Sequence, residues 1–234
     1  MTTDDLLARF RDDVSRYAAG TGDLLRAVFD EDLSVEVTHR EGEAKSVIWA
    51  VVPLYTGSDE PSGQQLARLE VRAWCCLDTS GRYLAIQESR YALVAEVDRT
   101  PILRYEYERV SSSKPGAHVQ IHAHRGALSH LLSRTGVANP HSMESLHLPV
   151  GGDRFRPCLE DVVEFLVVEC GFYCRPGWAQ AVKFGRMNWR RYQLASAVRD
   201  CPSEAVNVLE RLGYTVIPPE GGHAPDHHER LGRW

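Results

Sequence analysis

Between residues 33 and 124 the chain is a succession of alternating segments joined by short polar turns, and nothing else in it constrains the fold as tightly. Side chains of a strand point to opposite faces in turn, so period-two alternation marks a half-buried strand. Leu33, Val35 and Val37 alternate with Ser34, Glu36 and Thr38. A turn at Glu41-Gly42-Glu43 leads to a more apolar strand over 47–55, expected at the centre of a sheet. Residues 57–63 form a polar loop, and strands follow over 66–77 and 83–97, joined by Asp78-Thr79-Ser80-Gly81. In a fifth strand after Pro101, Leu103, Tyr105 and Tyr107 alternate with Arg104, Glu106 and Glu108. After a loop over 111–116, a sixth strand spans 118–124. Parallel neighbours need long crossovers, and these connections are short, so the strands form an antiparallel meander.

Helices flank this block. Thr3 is placed to cap a first helix, with Asp4 and Asp5 facing its positive end. Leu6, Leu7, Phe10, Val14 and Tyr17 follow helical spacing, Gly20 is read as its stop, and a shorter helix covers 24–29. Beyond the strands, 127–133 reads as a short helix and 136–147 as irregular. Pro157 suits the first turn of a helix over 158–170. Further helices are expected over 178–199 and 203–212, with Gly213 ending the latter and 214–217 returning to the sheet. The fold class is therefore α+β. It comprises a mainly antiparallel sheet of about six strands, N-terminal helices and a C-terminal helical group. A single domain covers 1–217 (helical over 1–30, sheet over 33–124, mostly helical over 125–217), and 218–234 reads as a flexible tail rich in Pro, Gly and His.

The chain of 234 residues carries a formal net charge of -5, which gives no global attraction to nucleic acid. Its first fifty residues are acid-rich, whereas Arg175 to Arg199 holds Arg175, Lys183, Arg186, Arg190, Arg191 and Arg199 with no acid between. The N-terminus lacks the charged and apolar regions of a secretory signal, and no apolar run reaches membrane-spanning length. The expected location is the cytoplasm, so the six cysteines are read as buried free thiols. Cys170 and Cys174, one helical turn apart, are an alternative metal pair with a histidine.

Three stretches can carry chemistry. In His118-Val-Gln120-Ile-His122-Ala-His124, a strand places the three histidines and Gln120 on one face. Such imidazoles can serve as general base and general acid, as phosphodiester cleavage of RNA requires. They can also hold a metal: the cofactor is either absent or one zinc-like ion at His122 and His124, with His118 or His147 as third ligand. A solvated His-rich face is the bland reading. The alternation is also similar to that of histidine-triad nucleotide hydrolases, although nothing upstream matches their nucleotide-binding segment.

The second stretch runs from His147 to Arg156. Gly151 and Gly152 allow exposed backbone N–H groups, Arg154 and Arg156 can clamp a phosphate, and the following helix adds its positive end. The bland reading pairs these arginines with Glu160, Asp161 or other acids. The third stretch, 183–192, interleaves Lys183, Arg186, Arg190 and Arg191 with Phe184, Trp189 and Tyr192. That suits a nucleic-acid backbone and its bases, and equally an amphipathic helix that buries its aromatics.

The segment Arg104-Tyr105-Glu-Tyr107, the run His118 to His124, and Arg154-Phe155-Arg156-Pro157 leading into Leu159-Glu160-Asp161 occur in an order that resembles the TumE-type family of toxin–antitoxin proteins. The similarity covers residues 103–170. It implies a small meander with a packed helix and a toxin-like role beside an antitoxin-like partner. Taken together, the leading expectation is a toxin-like or defence-type phosphodiesterase acting on RNA. His118, His122, His124 and His147 would carry the chemistry, and Arg154, Arg156, Arg186 and Arg190 would bind phosphate. The alternatives are a non-catalytic interaction protein, pairing with a partner or a second copy, and a zinc-dependent hydrolase.

Overall fold

In the computed structural model, the described residues are 2–56, 63–111, 114–123, 126, 129, 133, 139, 141–143 and 147–232. Helix α1 (Thr3–Val28) is followed by a seven-stranded antiparallel sheet whose spatial order is its sequence order: β1 (Glu36–His39), β2 (Lys45–Tyr55), β3 (Gln65–Leu77), β4 (Leu84–Ala95), β5 (Pro101–Glu108), β6 (Ala117–Ile121) and β7 (Leu148–Pro149). The one-turn helix α2 (Gly152–Phe155), then α3 (Leu159–Val168), α4 (Trp178–Asp200), α5 (Pro202–Arg211) and the short α6 (His228–Leu231) complete the chain. The α+β meander is thus as expected, with a seventh strand. That strand comes from 148–149, and 214–217 does not join the sheet. The apolar β2 lies second from one edge rather than at the centre, and its outer half has no β1 partner. Pro53, which has no N–H to give, sits in that half, and the Tyr173 amide caps the edge by donating to the Tyr55 carbonyl at 3.0 Å.

α1 starts one residue earlier than read: Thr2 caps it, accepting from the Asp5 amide while Asp5 accepts from the Thr2 amide. It then runs through Gly20 as one helix. Phe10, Val14, Ala18, Thr21, Leu25 and Val28 form one buried stripe of three- and four-residue steps that the glycine does not interrupt. Burying a Leu or Val side chain contributes about 1.5–3 kcal/mol, more than the ~1 kcal/mol an interior glycine costs. The stripe packs on the inner sheet face in two clusters. Phe10, Val14 and Ala18 meet Ile48, Ala73 and Cys75. Leu25 and Val28 meet Val52, Leu69, Val163 and Leu166.

α3 is capped at Cys158, so Pro157 precedes the helix instead of opening it. The opposite sheet face, by strand alternation, carries Trp49, Arg72, Arg90, Glu106 and His118 in one cross-strand row. The expected helix at 127–133 falls mostly outside the described residues. The C-terminal segment, read as a free tail, makes specific contacts: Asp226 accepts from the Ser203 amide at 3.1 Å, and Arg230 pairs with Asp200 at 2.9 Å. Among the described residues no helix is long and apolar enough to cross a membrane. All six cysteines are unpaired, but only Cys75 and Cys158 are buried, and Cys170 is exposed.

Candidate functional site

The histidine strand is shorter than its alternation. β6 ends at Ile121, so His118 lies on the strand and His122 just past it. His124 falls outside the described residues. Pairing puts Glu106 directly opposite His118, and Arg104 opposite Gln120. The β5–β6 hairpin closes through the Glu108 amide and the Gly116 carbonyl at 2.7 Å, which brings the Pro115 carbonyl under the His118 ring.

His118 is fully enclosed, at 0% exposure. Its Nδ1 donates to the Pro115 carbonyl at 2.9 Å. A carbonyl only accepts, so Nδ1 carries a proton and Nε2 is left facing the Glu106 carboxylate, 3.3 Å away. The other Glu106 oxygen lies 3.0 Å from Arg90 Nε and 3.8 Å from an Arg104 terminal nitrogen. Burial pushes the Glu106 carboxyl up, but His118, Arg104 and Arg90 outweigh it and hold it below its ordinary value. One carboxylate therefore faces three nitrogen-bearing side chains, and Arg90 Nε, Arg104 Nε and His118 Nε2 are all buried without a well-aligned hydrogen bond.

His147 stands beside this row because β7 pairs with β6 through Leu148 and Pro149. Its ring lies edge-on to His118, with centroids 4.7 Å apart. The Gln120 side-chain amide donates to His147 Nε2 at 3.1 Å, which marks that nitrogen as the basic one. Burial, with the nearby charges of His118 and Lys114, lowers the His147 pKa, so its neutral form is favoured. The two rings are thus set apart: one is a donor beside a carboxylate, the other an acceptor kept neutral. His122, just past the strand, donates its backbone amide to the Ile102 carbonyl at 2.8 Å, and its Nε2 is buried without a hydrogen-bond partner.

The expected phosphate clamp is already engaged. Arg154, on α2 rather than in a loop, makes two contacts to one oxygen of buried Asp200, at 2.7 and 2.6 Å, while Arg230 holds the other oxygen. Asp200 is 46 residues from Arg154, beyond the nearby acids considered from the sequence. Arg186 pairs with Asp161 at 2.7 Å and also with Glu164. Arg156 lies over the Tyr107 ring at 3.8 Å and near Trp189 at 5.6 Å. Arg190 is exposed. Gly151 does adopt the left-handed conformation, with φ of 90°, but the α3 N-terminus is occupied by its own Glu160 and Asp161.

His118 and Arg156 do line one small cleft with Glu106, Tyr107 and Pro157. It holds about one water molecule, so a substrate must approach from outside it. Among the described residues no three His, Cys, Asp or Glu side chains are grouped to hold a metal.

Sequence reading placed Gln120 with the histidines but missed Glu106 and Arg104 as members of the constellation. Both sit at alternating positions that look like an ordinary solvated strand face, and only β5–β6 register connects them to the histidines. Glu160, read only as a pairing acid, is instead enclosed: burial pushes its carboxyl upward, and Gly185 of α4 leaves the space its side chain fills. No family model, curated protein or solved structure matches this chain.

Proposed function

We propose that the chain is a proton-transfer enzyme cleaving phosphodiesters, with RNA as substrate, and that it works at the His147 side of the β5–β6 edge. The observation that carries this reading is the pair of unlike imidazoles, His118 and His147, 4.7 Å apart. A substrate 2′-hydroxyl that displaces the Gln120 amide meets the basic Nε2 of His147. Its proton passes to that nitrogen, the 2′-oxygen attacks phosphorus, and the bond to the 5′-oxygen breaks. His122, half-buried just past the strand, returns a proton to the leaving oxygen once its ring turns the enclosed Nε2 outward. His118 is too deeply enclosed to touch substrate; it acts as a positioning residue against the His147 ring. Arg104, next to Gln120 across the strands, takes the phosphate-binding role first read into Arg154 and Arg186. The toxin-like role and an antitoxin-like partner belong to the same proposal.

The test is cleavage of a fluorescent RNA by the purified chain and by His147→Ala, His122→Ala and Arg104→Ala variants with matched thermal midpoints. The wild type should cleave, and His147→Ala should lose about 10²–10⁴-fold in rate, the usual range for one general base. No cleavage by the wild type, or equal cleavage by His147→Ala, overturns the reading. Induced expression should arrest growth, and His147→Ala should relieve the arrest.

A further inference from the structure

α4 packs against α1, α2 and α3, with α5 and α6 touching it as well, and its outward side presents exposed apolar side chains. Phe184 is 63% exposed and Leu194 66%, and Met187 and Val198 are exposed with them. Steps of three, seven and four residues place these four along one helical stripe, roughly 21 Å long at 1.5 Å per residue. Of the aromatic positions expected to be buried, Phe184 and Tyr192 (74% exposed, on another flank of the helix) are turned out, and Trp189 is half-buried. Lys183, Arg190 and Arg191 line the same side, and no ion pair reaches them among the described residues. The single acid of α4, Asp200, is buried between Arg154 and Arg230. The neighbouring α5 has no buried residue and leaves Val208 and Leu209 exposed, as is Leu212 just after it. Apolar stripes of this extent on a folded chain mark interaction surfaces.

We propose that the outer side of α4 is a docking surface for an acidic amphipathic helix of another protein. The apolar stripe fits the apolar side of such a helix, and the three cations fit its flanking carboxylates. Self-pairing through this side would bring like charges together. The aliphatic centre of the stripe, Met187 and Leu194, offers no stacking to bases and no polar group to a phosphate backbone, whereas it fits apolar side chains.

The probe is a synthetic helical peptide of about 18 residues, with Leu on one side and Glu on the other. A scrambled peptide of equal composition is the control, and binding is read by fluorescence anisotropy. The amphipathic peptide should bind with a micromolar Kd that weakens with salt, and the scrambled one at least tenfold more weakly. Leu194→Glu, and separately Lys183→Glu/Arg190→Glu/Arg191→Glu, should each raise the Kd at least tenfold with an unchanged thermal midpoint. His147→Ala should bind as wild type, which separates this surface from the catalytic reading. The proposal is overturned if the amphipathic peptide fails to bind or the scrambled peptide matches it. A dimer abolished by Leu194→Glu, or RNA or phosphatidylserine-vesicle binding lost in the same variants, also overturns it by naming a different occupant.

Discussion

Glu106 is the residue on which the polar row depends. Its two oxygens face Arg90, Arg104 and His118, all partly or wholly out of water. Removing one partner of a buried ionic group leaves the others uncompensated, typically at a cost of 3–5 kcal/mol. Glu106→Gln should therefore destabilise the fold by about 3 kcal/mol at neutral pH in urea unfolding; a loss below ~1 kcal/mol would mean that water already compensates the arginines. The pH dependence has a definite sign. Folding lowers the Glu106 pKa, so its contribution is present above the unfolded value of about 4.3 and is lost as pH falls through the lower folded value. Glu106→Gln should flatten that acid limb. His147 adds a second limb of the same slope. Folding lowers its pKa too, so the unfolded chain binds the proton more tightly, and stability declines as pH drops through about 6.5 toward the folded value. Thermal midpoints of wild type and His147→Gln should diverge across that window and coincide above it.

Among the elements, α1 shows how packing overrides a local stop signal. Gly20 is exposed, has no neighbour that a Cβ would meet, and carries no left-handed backbone conformation. Gly20→Ala should therefore stabilise the protein by about 0.5–1 kcal/mol, the interior-helix difference between the two residues. Unfolding midpoints measure it directly; a loss of stability would mean that α1 bends at this point. The strand β6 shows the reverse. Alternation continues through His124 in sequence, but pairing with β5 stops at Leu103–Ile121. A strand exists only where its N–H and C=O groups find a partner, and alternation says nothing about how far the neighbour extends.

At the scale of the whole molecule, Asp200 ties three segments together. It is 5% exposed and joins α2 through Arg154 to α6 through Arg230, while its carbonyl accepts from the His227 amide at 2.7 Å. Asp200→Ala should leave both arginines uncompensated, cost about 3 kcal/mol, and make the segment after Gly213 the first site of limited proteolysis. Digestion at wild-type rate and position would show that the C-terminal segment is held by other contacts.

The α+β class, the meander, and most of its helices were legible in the amino-acid order, because alternation, helical spacing and turn residues are local signals. The β5 alternation and the apolar stripe of α3 are of this kind, while the α1 cap was read one residue late, at Thr3 instead of Thr2. The candidate site was half legible. His118 and His147 stand out as residue types, but their pairing depends on β7 closing the sheet beside β6, and Glu106 reaches His118 only through strand register. Arg154 and Arg186 looked equally suited to phosphate; which charges are spent on carboxylates depended on residues 46 and 25 positions away. The outward turn of Phe184, Leu194 and Tyr192 was likewise decided by which side of α4 meets α1 and α3. Charge and hydrophobicity are written in the chain; how they are compensated is a property of distant segments brought together, and only the folded molecule holds that.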